Sequence, residues 1–256
     1  MNAETQGGLM ILTGGVVARM AMTGTYLLYV RQGMRPWLLA SALVLVVLGI
    51  LRVWWALRPD PAPAEAGGHG PAGGGHVDHE PHAPKVAWLL VLPVLAVVLI
   101  APNPLGSFTA ARQSSTAAVV APPDPFPPLQ RAADGTVSLP VMEFVRRALF
   151  DDRRSLDGVP VRLVGMVSPK GKGGTEDFRL VRFMIACCAA DAQAVQVAVH
   201  GVQGKVPPND SWVEVIGRYR APAGRGDQAE EEEEEIPLLD VDQMQTVPRP
   251  ENPYEG

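Results

Sequence analysis

Three long apolar runs lie before residue 110, and the rest of the chain has none like them. A helix needs about 20 apolar residues to cross a hydrocarbon core. The runs are residues 8–30, interrupted by Arg19; 37–57, interrupted by Arg52; and 86–108, uncharged but holding Pro93, Pro102 and Pro104. They predict a three-span, multi-pass α-helical region over residues 1–109, set in the cell membrane with the lipid bilayer around it. The link between the first two runs, Arg31-Gln-Gly-Met-Arg35, permits only a tight antiparallel hairpin. The positive-inside bias draws Arg31 and Arg35 to the cytoplasm. Arg58 and Lys85 oppose them, so the side of the C-terminal domain stays open. The start, Met1-Asn-Ala-Glu4, lacks the basic region of a cleavable signal.

Arg19 sits mid-span with no acidic residue in any span to pair with. An arginine at that depth faces a partner or a wet cavity, or else snorkels along a tilted helix. The first reading makes Arg19 a partner-binding residue. Gly14, Ala18, Ala21 and Thr25 recur at helical spacing and permit close helix contact.

Residues 59–85 are dominated by Pro and Gly and carry His69, His76, His79 and His82, four of the five histidines in the chain. Imidazoles interleaved with Asp78 and Glu80 suit Zn²⁺, Ni²⁺ or Cu²⁺. A loop that must order on each binding event fits capture and release of an ion better than a structural site. A solvated linker is the plain alternative.

Beyond residue 110 the chain carries 16 basic and 22 acidic residues. That balance argues against nucleic-acid binding, which needs a basic face. Residues 110–137 read as a Pro/Ala-rich linker, and 138–256 as one domain. Ser138 is placed to cap a helix that buries Val141, Phe144, Val145, Ala148 and Leu149 and ends near Phe150. Period-two alternation then predicts strands at 160–167, 178–187, 194–200, 212–219 and 236–247, with bends at Gly165 and Gly217. Five short strands after one helix predict a five-stranded barrel of the oligonucleotide/oligosaccharide-binding (OB-like) type. The six glutamates 230–235 read as a solvated loop between the last two strands.

Cys187 and Cys188 are the only cysteines, and Asp191 follows them closely. In a continuous strand the two thiols would face opposite ways. If the strand ends near Ala186, a turn brings both thiols and Asp191 together. Three readings are open: two small buried side chains, thiolate ligands of Zn²⁺ or Cu⁺ with Asp191 or His200, and a vicinal disulfide acting as a redox sensor. The sequence holds no catalytic triad, phosphate loop or paired-carboxylate arrangement, so no enzyme is expected.

Four stretches resemble the YcgQ-like putative permease-subunit family of bacterial membrane proteins. They are Gly14 to Tyr26 with Tyr29-Val-Arg-Gln-Gly-Met-Arg-Pro36, the His-bearing loop, Arg182-Phe to Cys-Cys-Ala-Ala-Asp191, and the tail Ile236-Pro-Leu-Leu-Asp-Val with Pro250-Glu-Asn-Pro-Tyr254. The resemblance implies a small membrane protein paired with a larger multi-span permease subunit. It also implies that a metal ligand stands at Cys187, a position where family members carry His as well as Cys. The combined expectation is an accessory subunit in zinc transport or trafficking. The rivals are an assembly or regulatory protein that binds no metal, and a thiol redox sensor.

Overall fold

The computed structural model describes residues 3–58, 105–113, 119–122, 126–171, 174–221 and 236–255. The chain divides into two compact units, residues 1–23 with 35–103 and residues 24–34 with 104–256. The His-rich loop with His69, His76, His79 and His82, most of the third apolar run, and the glutamate run lie outside the described residues.

In the first unit, α1 (Ala3–Thr23) and α2 (Arg35–Ala56) pack against each other. Small residues make the seam: Gly7, Gly14 and Ala21 on α1 are buried, as are Ala42 and Gly49 on α2. Their seven-residue spacing keeps one stripe facing the partner helix, as in a left-handed pair. Both Gly14 and Ala21 belong to the small-residue series expected to permit close packing. The stretch Gln32–Ala56 is long and apolar enough to cross a membrane, and it is the single such helix among the described residues. One of the three expected spans is thus found among the described residues; most of the third run lies outside them. The helix α1 ends at Thr23, not Val30, because Gly24 takes a left-handed φ of 78° and turns the chain into a short 3-10 segment, Thr25–Leu28. Arg19 is exposed on α1.

The second unit is a closed barrel. Its strands are β1 (Val137–Ser138), β2 (Pro160–Ser168), β3 (Phe178–Met184), β4 (Gln193–His200), β5 (Trp212–Arg220), β6 (Leu238–Thr246) and β7 (Tyr254–Glu255). The order β2–β5–β6–β4–β3 closes through a β2–β3 pairing, with β4 and β6 parallel and the other four neighbouring pairs antiparallel. The five expected strands are the five that close. Gly165 lets β2 leave β5 and meet β3: a Cβ there would sit 2.8 Å from Leu180 Cγ and 3.1 Å from the Val181 carbonyl oxygen. Gly217 marks a β-bulge against β6, where a Cβ would strike the Asp240 carbonyl.

The barrel is filled by Leu163, Val167, Leu180, Val197, Val215 and Leu239, each essentially inaccessible to solvent. One end is closed by α4 (Val141–Phe150), whose Val141, Phe144 and Val145 point inward. Phe144 meets Tyr219 edge-on, with ring centroids 6.0 Å apart.

Three expectations about the chain leading into the barrel need correction. Ser138 does not cap α4; it lies in β1, which pairs with β2, and the helix starts after Pro140. The free amides of Val141 and Met142 donate instead to the two carboxylate oxygens of Glu255, at 3.0 and 2.9 Å. Nor is 110–137 a free linker throughout. Val119 is in the core, and the Pro127 carbonyl accepts from the buried Arg147 guanidinium. The third apolar run was expected to reach Phe108, but a short helix, α3 (Ser107–Ala110), sits on the barrel instead. The Ser107 amide donates to Asp210 at 2.6 Å, and Gln196 binds the carbonyls of Ala110 and Gln113.

Candidate metal centre

The cysteine pair lies where β3 gives out. Strand pairing stops at Met184, Ile185 is buried, and the chain turns through Ala186–Cys188 into a 3-10 turn, Ala189–Asp191. The predicted strand to Cys187 was therefore too long by the length of this turn. One side chain explains the break. Asp191 Oδ1 accepts from the Ala186 amide at 2.9 Å, and Oδ2 accepts from the amides of Cys187 and Cys188 at 2.9 and 3.2 Å. A carboxylate that satisfies three successive amides replaces the strand ladder that those amides would otherwise need. Cys188 in turn is the N-cap of the 3-10 turn, its carbonyl oxygen accepting the Asp191 amide at 3.0 Å.

The turn puts both thiols on one side. Cys187 is exposed and Cys188 half-buried, their sulfurs are 3.7 Å apart, and the Cys187 thiol donates to Asp191 Oδ2 at 2.8 Å. One donor atom from each of Cys187, Cys188 and Asp191 lies within 4.8 Å of the others. The structure brings these three predicted residues together. It does not bring in His200, whose ring faces Asp240 on β6, 3.8 Å away.

Electrostatics in the turn favour a proton between sulfur and carboxylate. The hydrogen bond from Cys187, followed by the backbone amides, pulls the Asp191 carboxyl down to about 2. The same hydrogen bond, with a smaller part from Cys188, raises the Cys187 thiol from 9.0 to about 11. The neutral thiol is the form the fold favours. Its contribution to stability is complete below pH 9.0 and is lost as pH climbs through about 11. The Asp191 contribution is complete above 3.8 and is lost as pH falls through about 2. Thermal melts of the metal-free protein test the alkaline side. Between pH 9 and 11 the wild type is expected to lose more melting temperature than Cys187→Ser, whose hydroxyl also donates to Asp191 but does not titrate there.

Sequence reasoning missed a set of residues around this turn. The segment 28–31 pairs with it: Val30 forms an antiparallel bridge with Cys188, the Arg31 amide donates to the Cys187 carbonyl at 3.1 Å, and the Ala189 amide donates to the Tyr29 carbonyl at 2.7 Å. The C-terminal strand β7 lies on the other side of β3, and the Tyr254 hydroxyl donates to the Leu28 carbonyl at 2.7 Å. Behind the turn, Arg182 binds Glu255 Oε1 at 3.3 Å and the Asn252 carbonyl at 3.4 Å, beneath the ring of Trp212. Three of the stretches that carried the family resemblance, at 29–36, 182–191 and 250–254, thus meet around Cys188. Their joint presence in one resemblance was the available signal.

Residues 146–255 are similar to the DUF1980 C-terminal domain, an uncharacterised family. None of the curated proteins and none of the solved structures matches the chain. The similar region runs from within α4 to the end of β7 and takes in the whole cysteine turn.

Proposed function

We propose that this chain is a non-enzymatic, membrane-anchored accessory subunit of a larger multi-span permease, and that it handles a transition metal, zinc foremost, at Cys187, Cys188 and Asp191. The observation that carries the reading is the sulfur spacing. Two thiolates bound to one tetrahedral zinc at about 2.3 Å each stand about 3.8 Å apart, and the free thiols already stand at 3.7 Å. Asp191 completes a third position once the metal takes the place of the Cys187 proton. The barrel, read as OB-like, serves as a rigid platform for this turn. The apolar stretch Gln32–Ala56 supplies the anchor. The resemblance to the YcgQ-like family supports the permease partner and multi-pass insertion in the cell membrane; the clustering of His69, His76, His79 and His82 supports their gathering role, and the charge of Arg19 within an apolar run supports a contact with the partner's helices.

A second reading has its own observation. Both oxygens of Asp191 are already engaged by backbone amides, as they would be in a turn built to dock a partner without metal. Zinc titration separates the two. In a full-length chain with the four loop histidines changed to alanine, reduced and stripped of metal, one equivalent of zinc is expected to bind. Cys188→Ala is expected to abolish it. Equal stoichiometry in both proteins would remove the metal site and leave the docking reading. Each proton displaced on binding makes affinity rise with pH, so zinc is expected to bind more tightly at pH 8 than at pH 6.5.

A further inference from the structure

We propose that metal at the cysteine turn acts as a latch on the segment joining α1 to α2. The inference rests on the metal reading above and assigns that site a regulatory consequence. The segment 24–34 groups with the barrel unit, although the chain on both sides of it is helix of the other unit. Residues 28–31 are held there in part by three hydrogen bonds. Arg31 donates to the Cys187 carbonyl, Ala189 donates to the Tyr29 carbonyl, and Tyr254 donates to the Leu28 carbonyl. Two of these three involve backbone groups of the turn that carries the thiols.

The peptide group between Cys187 and Cys188 decides the coupling. Its carbonyl is the acceptor for Arg31, and its amide hydrogen is one of those bound by Asp191. A metal held by both sulfurs closes a ring through that same peptide group. A third bond from Asp191 would close further rings through residues 188–191. Without metal, the Cys187 side chain is tied by its thiol–carboxylate bond and a longer contact with the Cys188 sulfur, and sits in solvent. The sulfurs need almost no movement to accept zinc, so binding fixes the turn in the shape that already receives Val30 and Arg31. Ordering one partner of a pairing in its bound shape removes an entropic cost from the pairing, and local opening becomes rarer. The loaded site therefore holds segment 28–31 more firmly on the barrel, and the empty site lets it open more often.

Hydrogen exchange on the full chain in lipid nanodiscs tests the latch, with zinc alone as the probe. The Arg31 and Ala189 amides report on the pairing, and zinc stoichiometry is measured in the same samples. With zinc bound, exchange at both amides is expected to slow on the order of tenfold. In Cys188→Ser neither the tenfold change nor the turn-bound zinc is expected. Zinc bound at the turn with exchange unchanged or faster at Arg31 and Ala189 overturns the latch and leaves the metal site standing. No zinc at the turn overturns both. Slowing that persists undiminished in Cys188→Ser overturns the latch as well, because the effect then arises elsewhere.

Discussion

Replacing Glu255 by alanine is expected to destabilise the barrel by about 2–4 kcal/mol, although the residue is the last but one in the chain. Its two oxygens do three jobs. They accept the first free amides of α4, at Val141 and Met142, and Oε1 also pairs with Arg182 at 3.3 Å. Loss of a helix cap costs about 1 kcal/mol. The larger part comes from Arg182, whose side chain is 11% exposed and whose Nη1 already has no hydrogen-bond partner among the described residues. Burial pulls the pKa of this guanidinium down, and Glu255 is the charge that opposes the shift. Without it, a buried cation keeps, among the described residues, the Asn252 carbonyl and the face of Trp212. The backbone pairing of β7 with β3 survives the substitution, so the loss isolates the carboxylate. Chemical denaturation followed by circular dichroism measures it. Glu255→Gln keeps an acceptor but no charge and is expected to fall between wild type and alanine. A change under about 0.5 kcal/mol for alanine would mean the cap and the ion pair are both replaced by water.

Glu255 also shows where sequence reasoning stops. The five barrel strands and α4 were legible because each is a local pattern: alternation in the strands, and apolar side chains at helical spacing from Val141 to Leu149. The cap of α4 was not legible, because it comes from a residue 114 positions away. A local candidate, Ser138, was of a residue type that caps helices and still lost to β1 pairing. The end of β3 was misplaced for a related reason. Nothing in Met-Ile-Ala-Cys-Cys announces a break, and the break depends on Asp191 reaching back for three amides. The condition for the two thiols to share a side, a strand ending before Cys187, was legible as a condition. Its fulfilment needed the structure. The docking of segment 28–31 was illegible in a different way. Apolar content carries the first run through Val30, whereas Gly24 diverts the backbone and lets Tyr29–Arg31 pair with the turn. The only sequence sign was that these residues recur with the cysteine stretch and the tail in one family pattern.

The seam between α1 and α2 predicts opposite outcomes for neighbouring glycines. A Cβ on Gly14 would lie 2.9 Å from the Ala42 carbonyl oxygen and 2.8 Å from Val46 Cγ2, and one on Gly7 would lie 2.8 Å from the Gly49 carbonyl oxygen. Gly49 mirrors this, 2.8 Å from the Gly7 carbonyl oxygen and 3.1 Å from the Ile11 amide nitrogen. Backbone atoms cannot rotate aside, so a methyl group forces the helices apart along the seam. Gly8 and Gly15, one residue on, face open space with nothing within 4 Å. Replacing glycine by alanine inside a helix otherwise gains up to about 1 kcal/mol from propensity alone. Gly8→Ala and Gly15→Ala are therefore expected to be neutral or mildly stabilising. Gly7→Ala, Gly14→Ala and Gly49→Ala are each expected to lose about 1–3 kcal/mol from overpacking, with Gly49→Leu beyond that range. Unfolding of the hairpin in mixed micelles by added sodium dodecyl sulfate, followed by circular dichroism, reads the sign directly. Equal responses at Gly14 and Gly15 would contradict the seam. The contrast also bears on the first apolar run: α1, with Arg19 and too few apolar residues to anchor alone, takes its place beside α2 through backbone approach, which glycine permits and hydrophobicity does not reveal.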